Sequence, residues 1–288
     1  MSLFKPSFSG GNRRAYSEED KPQTRPELVR LILRDHFFSL IPANLILLVV
    51  FLPSLFWTFT GLFYIAQAMG TDGSLADFIS LSRTWVVVMI PCLLITGPFL
   101  AGMSVMMRNL ARDDRRFPKQ YFVSGLKESW KSALVVSASG SLIPLLIWAA
   151  VAFYGPILAE GSQFAFIPFL LTIVLCAIWL MTLPTLYMML GTYRQNLSHQ
   201  IKNAFALTLS HLPLVTGVHL ITLLPVLLGA LAFVIGGTIF IAMLFILCIY
   251  YLFFGFAFAQ LLYAFLANKL CEENLNSQIG ADTHIGMR

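Results

Sequence analysis

Apolar residues run along this chain in long blocks that carry no charge. Asp, Glu, Lys and Arg are absent from residues 36–71, 84–107, 132–159, 161–193 and 203–268. A helix crosses a bilayer with roughly 20 apolar residues, so the first four blocks each predict one span. The fifth is too long for one. Gly236 and Gly237 stand near its middle and predict a tight turn, which divides it into 213–235 and 238–267. The prediction is an all-α polytopic bundle with six spans near 37–69, 84–107, 132–156, 164–193, 213–235 and 238–267. Pro42 and Pro53 lie inside the first block. They predict one long, bent helix, with a re-entrant piece as the alternative.

Two polar-flanked stretches between blocks show helical rather than random spacing. In 117–134, Phe122, Leu126, Trp130 and Ala133 share one helical face, with Lys127, Glu128 and Lys131 off it. In 194–212, Leu197, Ile201, Phe205, Leu209 and Leu212 share a face, with Ser198, His199 and Lys202 off it. This 3–4 spacing predicts two amphipathic cytoplasmic helical segments. Each is either an extension of the following span packed on its neighbours or a docking platform. A weak self-match accompanies them. Pro98 precedes Arg108 by ten residues, and Pro184 precedes Arg194 by ten. In both cases a span, a cytoplasmic segment and a second span follow in the same direction, with Pro144 and Pro225 in the second spans. That order predicts a parallel internal repeat.

Charge decides orientation. Seven basic residues precede position 36, seven lie in 108–131, and Arg194, Lys202, Lys269 and Arg288 follow. Six spans put all of these on one side and leave only Arg83 on the other. Such an imbalance predicts that both termini are cytoplasmic. It marks a membrane face, not a nucleic-acid surface. Arg108, Arg112, Arg115 and Arg116, with Lys119, form a basic cluster just inside the second span. Its expected role is orientation or contact with anionic lipid at the membrane surface. The remaining divisions are a partly disordered arm over 1–35 and a loose tail over 269–288, around a membrane domain over 36–268. Composition agrees: 58% of residues are hydrophobic, 11% charged, and mean hydropathy is +0.78. Soluble chains carry about 25% charged residues, so a soluble enzyme is excluded.

The chemistry usually found in membrane enzymes and coupled pumps is missing. No HExxH, GK[ST] loop or GxSxG occurs, and the six spans hold no Asp, Glu, Lys or Arg. His219 reads as a packing residue. The four cysteines, Cys92, Cys176, Cys248 and Cys271, have no metal-site spacing. No catalytic residue, metal or cofactor is expected, and the chain is not expected to be an enzyme. Asn44, Gln67, Thr96, Thr182, Thr185 and Gln260 either line a polar cavity or tie helices together.

The second span holds the most structured motif. Pro91 is followed by Thr96-Gly97-Pro98, then Ala101 and Gly102. Gly97, Ala101 and Gly102 permit close backbone approach between helices. Pro98 frees a carbonyl near Leu94, and Thr96 is placed to help satisfy the disturbed backbone. Together with the following Phe122, Lys127, Trp130 and Lys131, this stretch over 90–137 resembles the YesL family of bacterial membrane proteins. The resemblance implies a bacterial plasma-membrane protein encoded near ABC-type sugar uptake systems, without an established activity. Three roles are expected from it and from the residues. One is an accessory protein assisting carbohydrate uptake through ABC transporter components, docked on Arg108, Arg112, Arg115, Arg116, Lys119, Phe122, Lys127, Trp130, Lys131 and Arg194. The second is an autonomous permease or channel for a small neutral solute. The third is a lipid-handling protein. The bilayer, and a second copy of the chain, are the other expected partners.

Overall fold

The computed structural model describes residues 22, 24–70, 75–112, 118–193 and 195–276. The described residues are almost wholly helical: α1 (Arg25–Gly70), α2 (Leu75–Leu110), α3 (Pro118–Ser141), α4 (Ile143–Ala159), α5 (Phe166–Leu190), α6 (Leu197–Ser210), α7 (Leu212–Ile235), α8 (Gly237–Phe253) and α9 (Gly255–Cys271). A wide-turn helical segment, Glu272–Asn276, continues α9. Five stretches are long and apolar enough to cross a membrane alone: Phe37–Gly61, Ile79–Leu110, Lys119–Ala159, Gln163–Leu190 and Leu212–Ile235. Helix α8 and the segment Gly255–Asn276 pass the same test together but are bent by 63°, so the described residues hold five spans, or six when this pair counts as one broken span. The side-chain contacts at one end of the bundle fit the broken span. There the start of α1 and the ends of α2, α5 and α9 meet, through Arg25 with Glu272, Arg108 with Tyr193 and Tyr193 with Asn276. The chain leaves this end in α7 and is back at it by Glu272.

Several expected boundaries move. The first block is one helix, not a re-entrant pair, and it starts at Arg25. Residues 25–35 are thus helix rather than arm, because Leu28 and Ile32, one turn apart, are buried in the bundle. The tail begins later than 269, since Leu270, Cys271, Glu272 and Asn276 are buried. Helix α2 starts at Leu75, nine residues before the charge-free block at 84. A charge such as Arg83 ends an apolar count but does not end a helix. The single helix expected over 238–267 is interrupted at Phe254. The diglycine turn is present, with φ of 75° at Gly236 and 60° at Gly237, a backbone region that side chains with a Cβ seldom enter. Residues 1–21, and the tail beyond Asn276, lie outside the described residues.

The repeat is one of element order, not of length. A helix carrying an internal proline (Pro98 in α2, Pro184 in α5) leads to an amphipathic helix (α3, α6) and then to a helix with its own proline. Those are Pro144 at the start of α4 and, in α7, Pro225 as expected together with Pro213 at its start. The intervening helices differ, at 24 residues for α3 and 14 for α6.

The expected faces are partly inward: Ala133 is buried, and Phe122, Leu197 and Ile201 pack against the core, but both helices are rotated so that small and polar neighbours are buried as well. On α3, Gly125, Ser129, Ala133 and Val136 are buried while Trp130 is exposed. On α6, Gln200, Ala204, Leu207 and Thr208 are buried while Leu209 is exposed. The reason is the solvent. Lipid accepts large apolar side chains, so the interior collects residues that let backbones approach. Trp130 and Lys131, with the ammonium 5.5 Å from the ring centroid, form a cation–π pair of the kind that suits a membrane–water boundary.

Candidate functional site

The Thr96-Gly97-Pro98 step lies where α2 and α3 pack closely. A Cβ on Gly97 would overlap the Ser137 Cβ and stand 2.7 Å from the Ala133 carbonyl oxygen. A Cβ on Gly102 would stand 2.7 Å from the Phe122 carbonyl oxygen, and one on Gly125 2.7 Å from Val105 Cγ2. Val105 also fills the space a Cβ would need at Gly191, after α5. Ala101 is fully buried against Ala133 and Val136. Pro98 removes the amide that would bond the Leu94 carbonyl. The single hydroxyl hydrogen of Ser137 on α3 is shared between that oxygen at 3.0 Å and the Leu93 oxygen at 2.9 Å. Thr96 donates to the Leu93 oxygen at 2.7 Å. The helix therefore continues unbroken through both Pro91 and Pro98 to Leu110. Replacing Gly102 with Ala is expected to lower stability by about 1–3 kcal/mol through overpacking. A shift in thermal unfolding of the purified protein measures it; an unchanged midpoint would mean that α3 moves aside freely.

The basic cluster expected at the membrane surface divides into two groups. Lys119, Lys127 and Lys131 are exposed. Arg115, Arg116 and Arg194 lie outside the described residues. Arg108 and Arg112 turn into the bundle, and Arg108 is only 4% exposed. Arg108 Nε donates to Asn268 Oδ1 at 3.0 Å, and its guanidinium carbon is 5.2 Å from the centroid of the Tyr193 ring. Arg112 and Arg25 hold opposite oxygens of Glu272, at 3.2 Å and 3.1 Å. Glu272 is 1% exposed. The Tyr193 hydroxyl donates to Asn276 Oδ1 at 2.9 Å. Burial pushes the Tyr193 phenol above its usual range, with the Arg108 guanidinium opposing that shift, so the hydroxyl keeps its proton. Gln200 of α6 donates to the Tyr193 carbonyl at 2.7 Å. These bonds clamp α1, α2, α5, α6 and α9 together. Positive-inside counting registered these arginines as surface charge because it does not see Glu272, 160 positions from Arg112.

A second polar assembly sits at the α8–α9 break, deep in the apolar part. Asn44 of α1 is fully buried. Its amide nitrogen donates to the carbonyls of Tyr251 and Leu252 at 2.8 Å and 2.9 Å, and its oxygen accepts from the Ala257 amide at 3.0 Å. One side chain thus serves both the end of α8 and the start of α9. Gly255 is required beside it, because a Cβ there would stand 2.6 Å from the Tyr251 ring and 2.7 Å from the Tyr250 ring. Nearby, Thr222 Oγ1 donates to the His219 carbonyl at 2.9 Å. The Thr222 and Tyr263 hydroxyls also lie 2.8 Å apart in a hydrogen bond that either can donate. His219 Nδ1 lies 2.9 Å from the Val215 carbonyl and must carry the ring proton.

Of the remaining polar span residues, Thr185 has its hydroxyl oxygen buried without a hydrogen-bond partner. Thr182 and Thr208 each donate to the carbonyl four residues back in their own helix, as Ser54 does three residues back. Gln67 is exposed. Gln260 lines a small cavity beside the break. Among the described residues, no group of three His, Cys, Asp or Glu is placed to hold a metal ion. No family model, curated protein or solved structure matches the chain.

Proposed function

We propose that this protein is an accessory subunit in a bacterial plasma membrane, with both termini cytoplasmic, that assists carbohydrate uptake by associating with an ABC-type transporter. The observation that carries the accessory half is the direction of the buried hydroxyls. Thr96, Thr182, Thr208 and Ser54 donate to carbonyls of their own helices, so they support helix backbone instead of wetting a route. A solute path needs polar groups that face one another along several spans. The carbohydrate context rests on the YesL-like stretch over 90–137. The cytoplasmic orientation rests on the Lys and Arg asymmetry. A surface for intramembrane contact is also present: α8 has no buried residue, and Ile241, Phe245 and Ile249 are exposed along it.

A second reading, an autonomous permease for a small neutral solute, draws on one observation. Discontinuous membrane helices commonly border substrate sites, and α8–α9 is discontinuous beside a cavity reached by Thr222, Tyr263 and Gln260. Native purification in lipid nanodiscs with mass spectrometry separates the two. Stoichiometric recovery of ABC permease subunits is the expected result. Recovery of the chain alone or as a homo-oligomer, together with neutral-solute flux in liposomes, would replace the accessory reading with the second.

A further inference from the structure

We propose that the exposed basic face of α3, centred on Lys127 and Lys131, is a docking site for the headgroup of an anionic phospholipid. The site goes beyond the accessory role and does not rest on it. Helix geometry places the face. Successive residues of an α-helix turn by about 100°. Gly125, Ser129 and Ala133 are buried on the side that packs on α2. Lys127 lies two positions from both Gly125 and Ser129, and Lys131 two positions from both Ser129 and Ala133. Each lysine therefore stands on the far side of α3 from the packed face, and both are exposed. They are four positions apart, so their ammonium groups can converge on one phosphodiester.

Depth along the helix selects lipid over a soluble partner. Lys131 is the last charge before the charge-free stretch that begins at Ser132. Trp130 is 45% exposed, and the Lys131 ammonium is 5.5 Å from its ring centroid. An exposed indole at this position suits the headgroup level of a bilayer. One turn onward Val135 is exposed, and further along so is Leu142. An acyl chain lying along Val135 and Leu142 has its headgroup level with Lys131 and Lys127. Charge selects an anionic head. Among the described residues, no carboxylate is ion-paired with Lys119, Lys127 or Lys131. Glu128 is exposed between Lys127 and Lys131, and the three lysines outnumber it. Arg108 and Arg112, turned to Asn268 and Glu272, do not serve this role. Each lysine near an anionic membrane surface multiplies affinity about fivefold.

The test uses the full-length protein alone in nanodiscs, with photo-crosslinkable phosphatidylglycerol and phosphatidylcholine probes of equal chain length. Phosphatidylglycerol is expected to label α3 between Val123 and Val135 about fivefold or more above phosphatidylcholine, and less so at high salt. Lys127→Gln and Lys131→Gln are each expected to lower that preference about fivefold, and the double variant to abolish it. Lys127→Arg with Lys131→Arg is expected to keep it. Both lysines are exposed, so thermal unfolding is expected to be unchanged in all four variants. Lys202→Gln, at an exposed lysine of α6, is expected to leave labelling of α3 as it is. Equal labelling of α3 by the two probes would overturn the proposal and leave the lysines to an acidic protein surface. A preference that survives the double glutamine variant, or one lost equally in the arginine variant, would also overturn it.

Discussion

Glu272→Gln is expected to be the most damaging single substitution in the protein, lowering stability by about 3 kcal/mol or more. The carboxylate is 1% exposed and each of its oxygens is held by a separate arginine, at 3.1 Å and 3.2 Å. Glutamine keeps the shape but removes the charge, and its amide hydrogens face guanidinium hydrogens. Arg112, whose side chain is 15% exposed, would be left buried without a counter-charge. Arg25, at 27%, can turn partly to water, which keeps the estimate near the lower end of the range for broken buried pairs. The loss is measurable as a lowered unfolding midpoint in detergent or nanodiscs. Adding Arg112→Gln to Glu272→Gln is expected to recover part of it, because the uncompensated cation is then gone. A midpoint within error of the parent for Glu272→Gln would show that the clamp does not hold the helix ends.

Asn44→Leu is expected to cost about 2–4 kcal/mol. It strands the Tyr251 and Leu252 carbonyls and the Ala257 amide. Each buried orphan costs about 1–3 kcal/mol; side-chain bonds within membranes run lower, averaging about 0.6, which sets the lower end. The change also has a geometric signature. With its shared partner gone, the 63° bend between α8 and α9 is expected to broaden. Distances between spin labels placed on the two helices would report this as a wider distribution. A narrow, unchanged distribution would show that Gly255 and the two tyrosine rings set the bend without Asn44.

The two clamps were not equally visible in the sequence. Asn44 stood out as a polar residue inside an apolar block, but its partners are backbone groups more than 200 positions away. Backbone partners leave no trace in side-chain identity. Glu272 looked like part of a charged tail, since only a folded end of α9 brings it under Arg25 and Arg112. By contrast, the Gly97–Ala101–Gly102 spacing named its own purpose, and α3 is the helix that uses it. The freed Leu94 carbonyl was foreseeable from Pro98, whereas its partner Ser137 was not. For the amphipathic segments, the 3–4 spacing located the helices and part of their inward faces, Ala133, Phe122, Leu197 and Ile201 among them, but not the burial of Gly125, Ser129, Ala204 and Thr208 beside them. Lipid outside removes the drive to bury every large apolar side chain, so small residues share the interior.

By itself the sequence determined that the chain is a helical membrane protein with a diglycine turn and a close-packing step in its second span. Those features depend on local composition and on residues near one another along the chain: apolar length against bilayer thickness, glycine at positive φ, small residues four or five apart. Only the tertiary structure decided that the last passage is broken at Phe254, that Asn44 spans the break, and that two of the surface arginines are interior. Each of these depends on which distant backbone or carboxylate supplies the missing partner. In a low-dielectric interior, that partner determines whether a polar group can be buried at all.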